Sequence, residues 1–204
     1  MAYLSSNAYK YADVNKLPPK AIRRYNRVLI YTNPEEKRHT VVVRGSMLLK
    51  TPRDLLMNVN IRETIHNEYH FHTGFFDEAH KIKEEMDAKS VFEPSYTIDF
   101  TGHSSGGCIA CIMAMMMYDT TDKVGEVITF GQPKFIKHAY GCPINFTRVV
   151  NIADPVPIVP MGDFKHTGRP QILDVHNQGD IPKLAAHEMK SYINNLVLNF
   201  MRPI

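Results

Sequence analysis

The chain lacks tryptophan and has only three cysteines among its 204 residues. An odd number of cysteines argues against a self-contained disulfide framework. Cys108 and Cys111 form one C-x-x-C spacing, but no second cysteine pair accompanies them, which argues against a structural zinc site. No apolar run approaches the roughly 20 residues of a membrane-spanning helix. The chain also has no internal repeats, so a solenoid is excluded.

The chain also has no large excess of charge of either sign. There are 24 lysines and arginines against 21 aspartates and glutamates, which gives a net charge of +3. This balance does not predict a nucleic-acid partner, although a mildly basic surface helps docking on an anionic membrane. The apolar fraction of 44% is that of an ordinary soluble globular protein. The length favours a single domain over residues 1–204.

The first ten residues contain no continuous apolar segment of the kind found in signal peptides. The low cysteine count is typical of a reducing compartment. We therefore expect a soluble protein that is cytoplasmic or otherwise non-secreted.

Strand and helix patterns alternate along the chain. Five segments rich in β-branched and aromatic residues predict strands, at 27–32, 40–44, 96–101, 124–130 and 146–151, the first two paired as a hairpin. Four segments predict helices, at 52–57, 75–88, 108–118 and 184–199. The alternation predicts an α/β fold with a central, mainly parallel β-sheet flanked by helices.

Residues 102–106, Gly-His-Ser-Ser-Gly, match the nucleophile-elbow pattern G-x-S-x-G. This pentapeptide also occurs by chance, but here a predicted strand precedes it and a predicted helix follows it. Ser104 is therefore expected on a sharp turn at a helix N-terminus, where free backbone N–H groups stabilise a developing oxyanion. The glycines are needed because a side chain at either position would collide with the packed strand and helix.

A serine nucleophile needs a general base, and the base needs an orienting acid. In α/β-hydrolases the acid and then the base follow the serine along the chain. Asp154 lies between two apolar runs just after a predicted strand, which favours it as the acid. The alternatives Asp163, Asp174 and Asp180 are more simply solvated loop or cap residues.

The chain has ten histidines, so the base is less clearly marked than the acid. His187 lies at the start of the last predicted helix, and His166 and His176 also follow Asp154 and remain alternatives. His138 precedes Asp154, which is the wrong order. His103 lies inside the elbow, where its side chain should point away from that of Ser104, so we interpret it as structural.

Reactive groups in parallel sheets collect at the carboxyl ends of the strands. Ser104 and Asp154 each follow a predicted strand, and Ser46 follows the strand that ends at Arg44. This shared position predicts that the three residues lie at one edge of the sheet.

Seven segments resemble, in order, those of the class 3 lipases, the fungal-type triacylglycerol lipases and their intracellular phospholipase relatives. They are Thr40-Val-Val-Val-Arg-Gly-Ser46, Asp54, His72-Thr-Gly-Phe75, Thr101-Gly-His-Ser-Ser-Gly-Gly107, Thr129-Phe-Gly-Gln-Pro133, Val150-Asn-Ile-Ala-Asp-Pro-Val-Pro157 and His187-Glu-Met-Lys-Ser-Tyr192. Each is weak alone, but seven in order and at plausible spacings are specific. The resemblance covers most of the chain.

The resemblance implies an α/β-hydrolase fold with a small lid-like segment and a catalytic triad of Ser104, Asp154 and His187. It implies an oxyanion hole made by the backbone N–H groups of Ser105 and Ser46, with residues 46–71 as candidate oxyanion loop and lid. The chain departs from the family in three ways. The spacing from Asp154 to His187 is short and the N-terminal segment is reduced. Ser105 stands where the family usually has an apolar residue, often leucine, and the lid tryptophan of several fungal members is missing.

The function implied by the resemblance is hydrolysis of acyl esters of lipids, by a triacylglycerol lipase or a phospholipase A1-like enzyme that forms an acyl-enzyme on the triad. No metal or organic cofactor is expected. The expected partners are a lipid or small ester substrate and, transiently, a membrane or lipid-droplet surface. The alternatives are a catalytically inactive structural or interaction protein with the same fold, and an acyltransferase with the same triad.

Overall fold

A computed structural model of the chain describes residues 1–10, 21–25, 27–45, 62–138, 143–174 and 184–200. Its main sheet has seven strands, in the spatial order β1 (Ala21–Tyr25), β2 (Val28–Asn33), β3 (Arg38–Val43), β6 (Thr97–His103), β7 (Val124–Phe130), β8 (Asn145–Asn151) and β9 (Arg169–Leu173). The pairs β1–β2 and β2–β3 are antiparallel, and all pairs from β3 to β9 are parallel. The mainly parallel sheet predicted from the sequence is therefore confirmed.

A small second sheet precedes the first long helix. It is an antiparallel hairpin of β4 (Glu63–His66) and β5 (Tyr69–His72). Phe71 in β5 is fully buried in the core. Of the candidate oxyanion loop and lid over 46–71, only the part from residue 62 onward is described, and this hairpin occupies most of it. The rest, with Ser46, Asp54 and the predicted helix at 52–57, lies outside the described residues.

Among the described residues, four helices cover the two faces of the main sheet. They are α1 (Ala2–Lys10), α2 (Thr73–Ala88), α3 (Ser105–Tyr118) and α4 (Met189–Phe200). Helix α3 is buried from Ser105 to Met117 and is covered by α2, which packs inward the four apolar residues expected from its spacing, Phe76, Ala79, Ile82 and Met86. Helix α4 packs on the opposite face against Phe130, Val149 and Leu173, beside α1.

The elements that the sequence did not predict have weak local patterns. Strand β9 reads Arg-Pro-Gln-Ile-Leu and lies at the sheet edge, where a proline is tolerated because one side of the strand has no partner. Helix α1 and strand β1 fall in a segment of mixed polarity. The helix predicted at 184–199 is divided into a 3₁₀ turn, Leu184–His187, and α4.

The parallel strands place their carboxyl ends at one edge of the sheet. Strand β3 ends at Val43, three positions before Ser46 in the sequence; β6 ends at His103, next to Ser104, and β8 ends three residues before Asp154. None of the helices in the described ranges is long and apolar enough to cross a membrane.

Candidate active site

Ser104 lies on the turn between β6 and α3, with a strained backbone. Its φ of 57° and ψ of −135° fall in a region that residues with a side chain rarely adopt. Such a conformation costs about 1–3 kcal/mol and persists only where surrounding contacts hold it. Here the Ser104 N–H donates to the carbonyl of Phe130 at 2.9 Å. The Ser104 Oγ is buried and makes no hydrogen bond with any residue that the structure describes.

Two glycines allow the tight approach of strand, turn and helix. A Cβ on Gly102 would lie 2.3 Å from the carbonyl oxygen of Gly106, and a Cβ on Gly106 would lie 2.3 Å from the carbonyl oxygen of Val43. The collision expected from the sequence is thus confirmed at both positions. The second contact also shows that the first turn of α3 lies directly against the end of β3.

Asp154 and His187 are joined directly, although 33 residues separate them in the chain. The Nδ1 of His187 donates to Oδ2 of Asp154 at 2.8 Å. The carboxylate is fully buried, whereas 15% of the His187 side chain is exposed. Because Nδ1 carries the proton, Nε2 of the neutral ring is an acceptor and can take a proton from a hydroxyl group.

Two further donors satisfy the Asp154 carboxylate. The hydroxyl of Tyr192 donates to Oδ2 at 2.5 Å, and the backbone N–H of Val156 donates to Oδ1 at 2.8 Å. Burial, and next the charge of Asp154, raises the pKa of Tyr192 well above its usual range, so its hydroxyl keeps its proton. A buried carboxylate is tolerated only when paired and hydrogen-bonded in this way.

Gly131, the residue after β7, lies against the point where Asp154, His187 and Tyr192 meet. Its φ is +56°, and a Cβ there would lie 2.7 Å from Asp154 Oδ2, 2.9 Å from His187 Nδ1 and 3.0 Å from the Tyr192 hydroxyl. Phe130, just before it, is the residue whose carbonyl accepts the Ser104 N–H. The serine turn and the Asp154–His187 pair therefore pack on the same two residues at the end of β7.

His103 connects the elbow to the base. Its Nε2 donates to the His187 carbonyl at 2.6 Å, and the two rings lie 4.6 Å apart between centroids. Burial, with a smaller contribution from His187, lowers the pKa of His103 to about 3, so the ring is neutral. The neutral ring thus holds the backbone of His187. It also places His187 beside the residue that precedes Ser104.

Four of the competing residues are described, and each has surroundings of its own. His166 is bound through Nε2 to the carbonyl of Pro157 at 2.8 Å, and Asp163 is exposed. Asp174 is half-buried just after β9, and the rings of His138 and His70 meet edge to face at 4.9 Å between centroids. His176 and Asp180 lie outside the described residues.

Three supporting residues were not singled out from the sequence: Tyr192, Gly131 and Asn151. Asn151 Nδ2 donates to the carbonyl of Ala186 at 2.8 Å, which fixes the backbone just before His187. All three lie within segments that resemble the family, at 129–133, 150–157 and 187–192, but the resemblance assigned a role only to Asp154 and His187 in those segments.

Ser105, the candidate oxyanion donor that the structure describes, is the first residue of α3. Its backbone N–H lies in the first turn of the helix, at the positive end of the helix dipole. No group of three or more histidine, cysteine or acidic side chains among the described residues is arranged to hold a metal ion. Cys108 and Cys111 are buried in α3 as part of the core.

The family model described as Lipase (class 3) matches residues 40–164, which is more than half of the chain. The lipase of Rhizomucor miehei is 26% identical to this chain over 164 residues, covering 71% of this chain and 45% of the relative. The chain thus spans about half the length of that curated relative.

Solved structures of lipases have a similar fold. The native Rhizomucor miehei lipase propeptide complex is similar at a TM-score of 0.66 and 22% identity, over 84% of this chain and 66% of that one. A triacylglycerol lipase in which a serine protease triad forms the catalytic centre is similar at a TM-score of 0.67 and 20% identity, over 94% and 86%. At these identities the likeness establishes the fold, which is the α/β-hydrolase fold expected from the sequence.

Proposed function

The chain belongs to the class 3 lipase family, and from that premise we propose that it is a serine hydrolase that cleaves acyl esters of lipids. The observation that carries the proposal is the buried, fully hydrogen-bonded Asp154–His187 pair, packed at the same strand end as the strained serine turn. A strained backbone and a buried charge are both costly, and both are placed here at one point of the sheet.

In the proposed reaction, the Ser104 hydroxyl attacks the ester carbonyl while Nε2 of His187 takes its proton. Asp154 keeps the imidazole in the Nδ1-protonated form and stabilises the imidazolium that results. His187 then delivers the proton to the leaving alcohol, which leaves an acyl group on Ser104. A water molecule, deprotonated by Nε2 of His187, attacks the acyl carbonyl; His187 then returns that proton to Ser104 Oγ as the bond to the acyl group breaks and the fatty acid is released.

The negative charge that develops on the carbonyl oxygen needs donors that are already in place. We assign this role to the backbone N–H groups of Ser105 and Ser46. Loss of one such donor typically costs about 2.7–4 kcal/mol of transition-state stabilisation. The dipole of α3, which begins at Ser105, acts in the same direction.

The proposed substrates are triacylglycerols or the acyl esters of phospholipids, met at a membrane or lipid-droplet surface. The resemblance over seven segments supports a lipid ester, and the mildly basic composition is compatible with an anionic surface. A matched series of p-nitrophenyl esters, emulsified triacylglycerol and phospholipid vesicles measures which class is preferred. Turnover of the short soluble esters, with no turnover of triacylglycerol or of phospholipid, would contradict the lipid assignment.

A fluorophosphonate probe tests the nucleophile, because it reacts with activated serines. We expect a single label on Ser104, found by mass spectrometry of the digested protein, and no turnover in Ser104→Ala. Ser90→Ala, at an exposed serine that also has a positive φ, is the matched control and should label and turn over like the unchanged protein. Folded protein without a label on Ser104 would contradict the enzyme assignment and favour the inactive, structural alternative.

A further inference from the structure

Arg27 connects three elements around the candidate oxyanion hole with one side chain. It lies on the turn before β2, and its side chain is 16% exposed. Its Nε donates to the carbonyl of Arg44 at 2.8 Å, and its Nη2 donates to Oγ of Ser105 at 3.1 Å. Its Nη1 faces the carboxylate of Glu78 on α2 at 3.5 Å.

The contact with Arg44 has two points. The Arg44 N–H donates to the backbone carbonyl of Arg27 at 2.9 Å, while the Arg44 carbonyl accepts from the Arg27 side chain. Both polar backbone atoms of Arg44 are therefore held by the same residue. Arg44 lies two positions before Ser46, the other residue to which we assign an oxyanion donor.

Ser105 is the place where this chain departs from its family, which usually has an apolar residue there. The Arg27 guanidinium supplies a reason for a hydroxyl at this position, because Oγ accepts one of its N–H groups. The backbone N–H of the same residue is the other assigned oxyanion donor. A planar guanidinium fork fixes several acceptors at defined angles, which a single ammonium group does not do.

We propose that Arg27 is a positioning residue for the oxyanion hole: it ties the backbone of Arg44, just after β3, to Ser105 at the start of α3, and so fixes where the Ser105 donor lies. This inference rests on the proposed function. Donors act on a transition state only when they are aligned within a fraction of an ångström. A residue that aligns them affects kcat more than KM, because the oxyanion exists only in the transition state.

The test compares Arg27→Met with Arg38→Met. Both arginines are partly buried and bound to an acceptor, but Arg38 pairs with Asp99 at the opposite end of β3. With a soluble p-nitrophenyl ester, we expect Arg27→Met to lower kcat about 10- to 100-fold while KM changes less than about threefold. Arg38→Met should leave kcat unchanged, although both variants lose thermal stability. An unchanged kcat in folded Arg27→Met would overturn the inference.

Two more variants separate positioning from charge. Arg27→Lys keeps the positive charge but loses the fork, so we expect it to resemble Arg27→Met, and full activity in Arg27→Lys would show that charge alone matters. Ser105→Ala keeps the backbone donor and removes the acceptor of Nη2. If the two residues act together, the double variant Arg27→Met/Ser105→Ala loses less kcat than the product of the two single losses. Multiplicative losses would overturn the coupling.

Amide hydrogen exchange tests the contacts of Arg27 with Arg44 without any measurement of turnover. We expect the amides of Arg44 and Gly45 to exchange faster in Arg27→Met than in the unchanged protein, and not faster in Arg38→Met. If the protein without substitutions turns over no ester, the proposed function is contradicted, whatever the hydrogen exchange shows. Equal exchange at these amides in all three proteins contradicts the role of Arg27, whatever the activity shows.

Discussion

The hydroxyl of Tyr192 holds the Asp154 carboxylate in the position in which it binds His187. It donates to the same carboxylate oxygen as His187 and also accepts the N–H of Asn151 at 3.2 Å. Hydrogen bonds to a charged group contribute about 1.5–3 kcal/mol, more than those between neutral groups. The hydroxyl therefore fixes where Asp154 Oδ2 can lie and, through it, the orientation of the His187 ring.

We expect Tyr192→Phe to lower kcat about tenfold, which corresponds to about 1.4 kcal/mol in the activation free energy. The aromatic packing of α4 against Phe130 remains, so the protein should stay folded. Steady-state kinetics on a soluble ester measure the effect. Tyr118→Phe, at a tyrosine that is 38% exposed at the end of α3, is the control. Equal kinetics in the two variants would show that the Tyr192 hydroxyl does not support the pair.

At the scale of elements, the end of β7 is the point on which the serine turn and the pair both pack. Gly131 leaves room there for Asp154, His187 and the Tyr192 hydroxyl, all within 3.0 Å of the place where a Cβ would stand. The atoms around this point belong to well-packed elements, so they move only by displacing one another. A single methyl group at this position therefore acts on the whole site.

We expect Gly131→Ala to lower kcat/KM about 100-fold, because it displaces the acid and the base from each other. Gly162→Ala is the matched control. Gly162 also has a positive φ, of 101°, but nothing lies within 4 Å of its Cβ position. That variant should show the strain, about 1–3 kcal/mol, in its free energy of unfolding but keep its activity. Equal loss of activity in both would point to backbone strain rather than to displacement of the pair.

At the scale of the whole molecule, buried histidines make the fold sensitive to acid. Burial lowers the pKa of His103 to about 3, that of His166 to about 4, and that of His72 as well. Below the ordinary histidine pKa of 6.5, the unfolded chain binds protons at these positions and the folded protein does not. Stability is therefore complete above about pH 6.5 and is lost as the pH falls.

For His103 alone we expect the free energy of unfolding to be about 2 kcal/mol lower at pH 5 than above pH 7, at 1.36 kcal/mol for each pH unit below 6.5. His103→Gln keeps a donor that can reach the His187 carbonyl but cannot be protonated in this range. Its stability should fall less steeply with pH. Urea unfolding of both proteins at a series of pH values measures the two slopes, and parallel curves would contradict the assignment.

The sequence predicted those features that depend on neighbours in the chain. The alternation of strands and helices, the elbow around Ser104 and the buried face of α2 follow from local spacing, and the structure confirms them. Strand β9 and helix α1 were missed because their local patterns are weak and their stability comes from packing on the sheet.

The sequence by itself determined the nucleophile turn, the order of the candidate acid and base, and the layered α/β architecture. Each of these can be recognised from short segments of the chain and from the order in which they occur. Three histidines remained as bases on position alone, and only resemblance selected His187. The tertiary structure decided that His187 is the histidine bound to Asp154, that Tyr192 shares its oxygen, and that Arg27 joins Arg44 to Ser105. These contacts join residues 17 to 78 positions apart, and no local pattern encodes which distant side chains a folded sheet brings within hydrogen-bond distance.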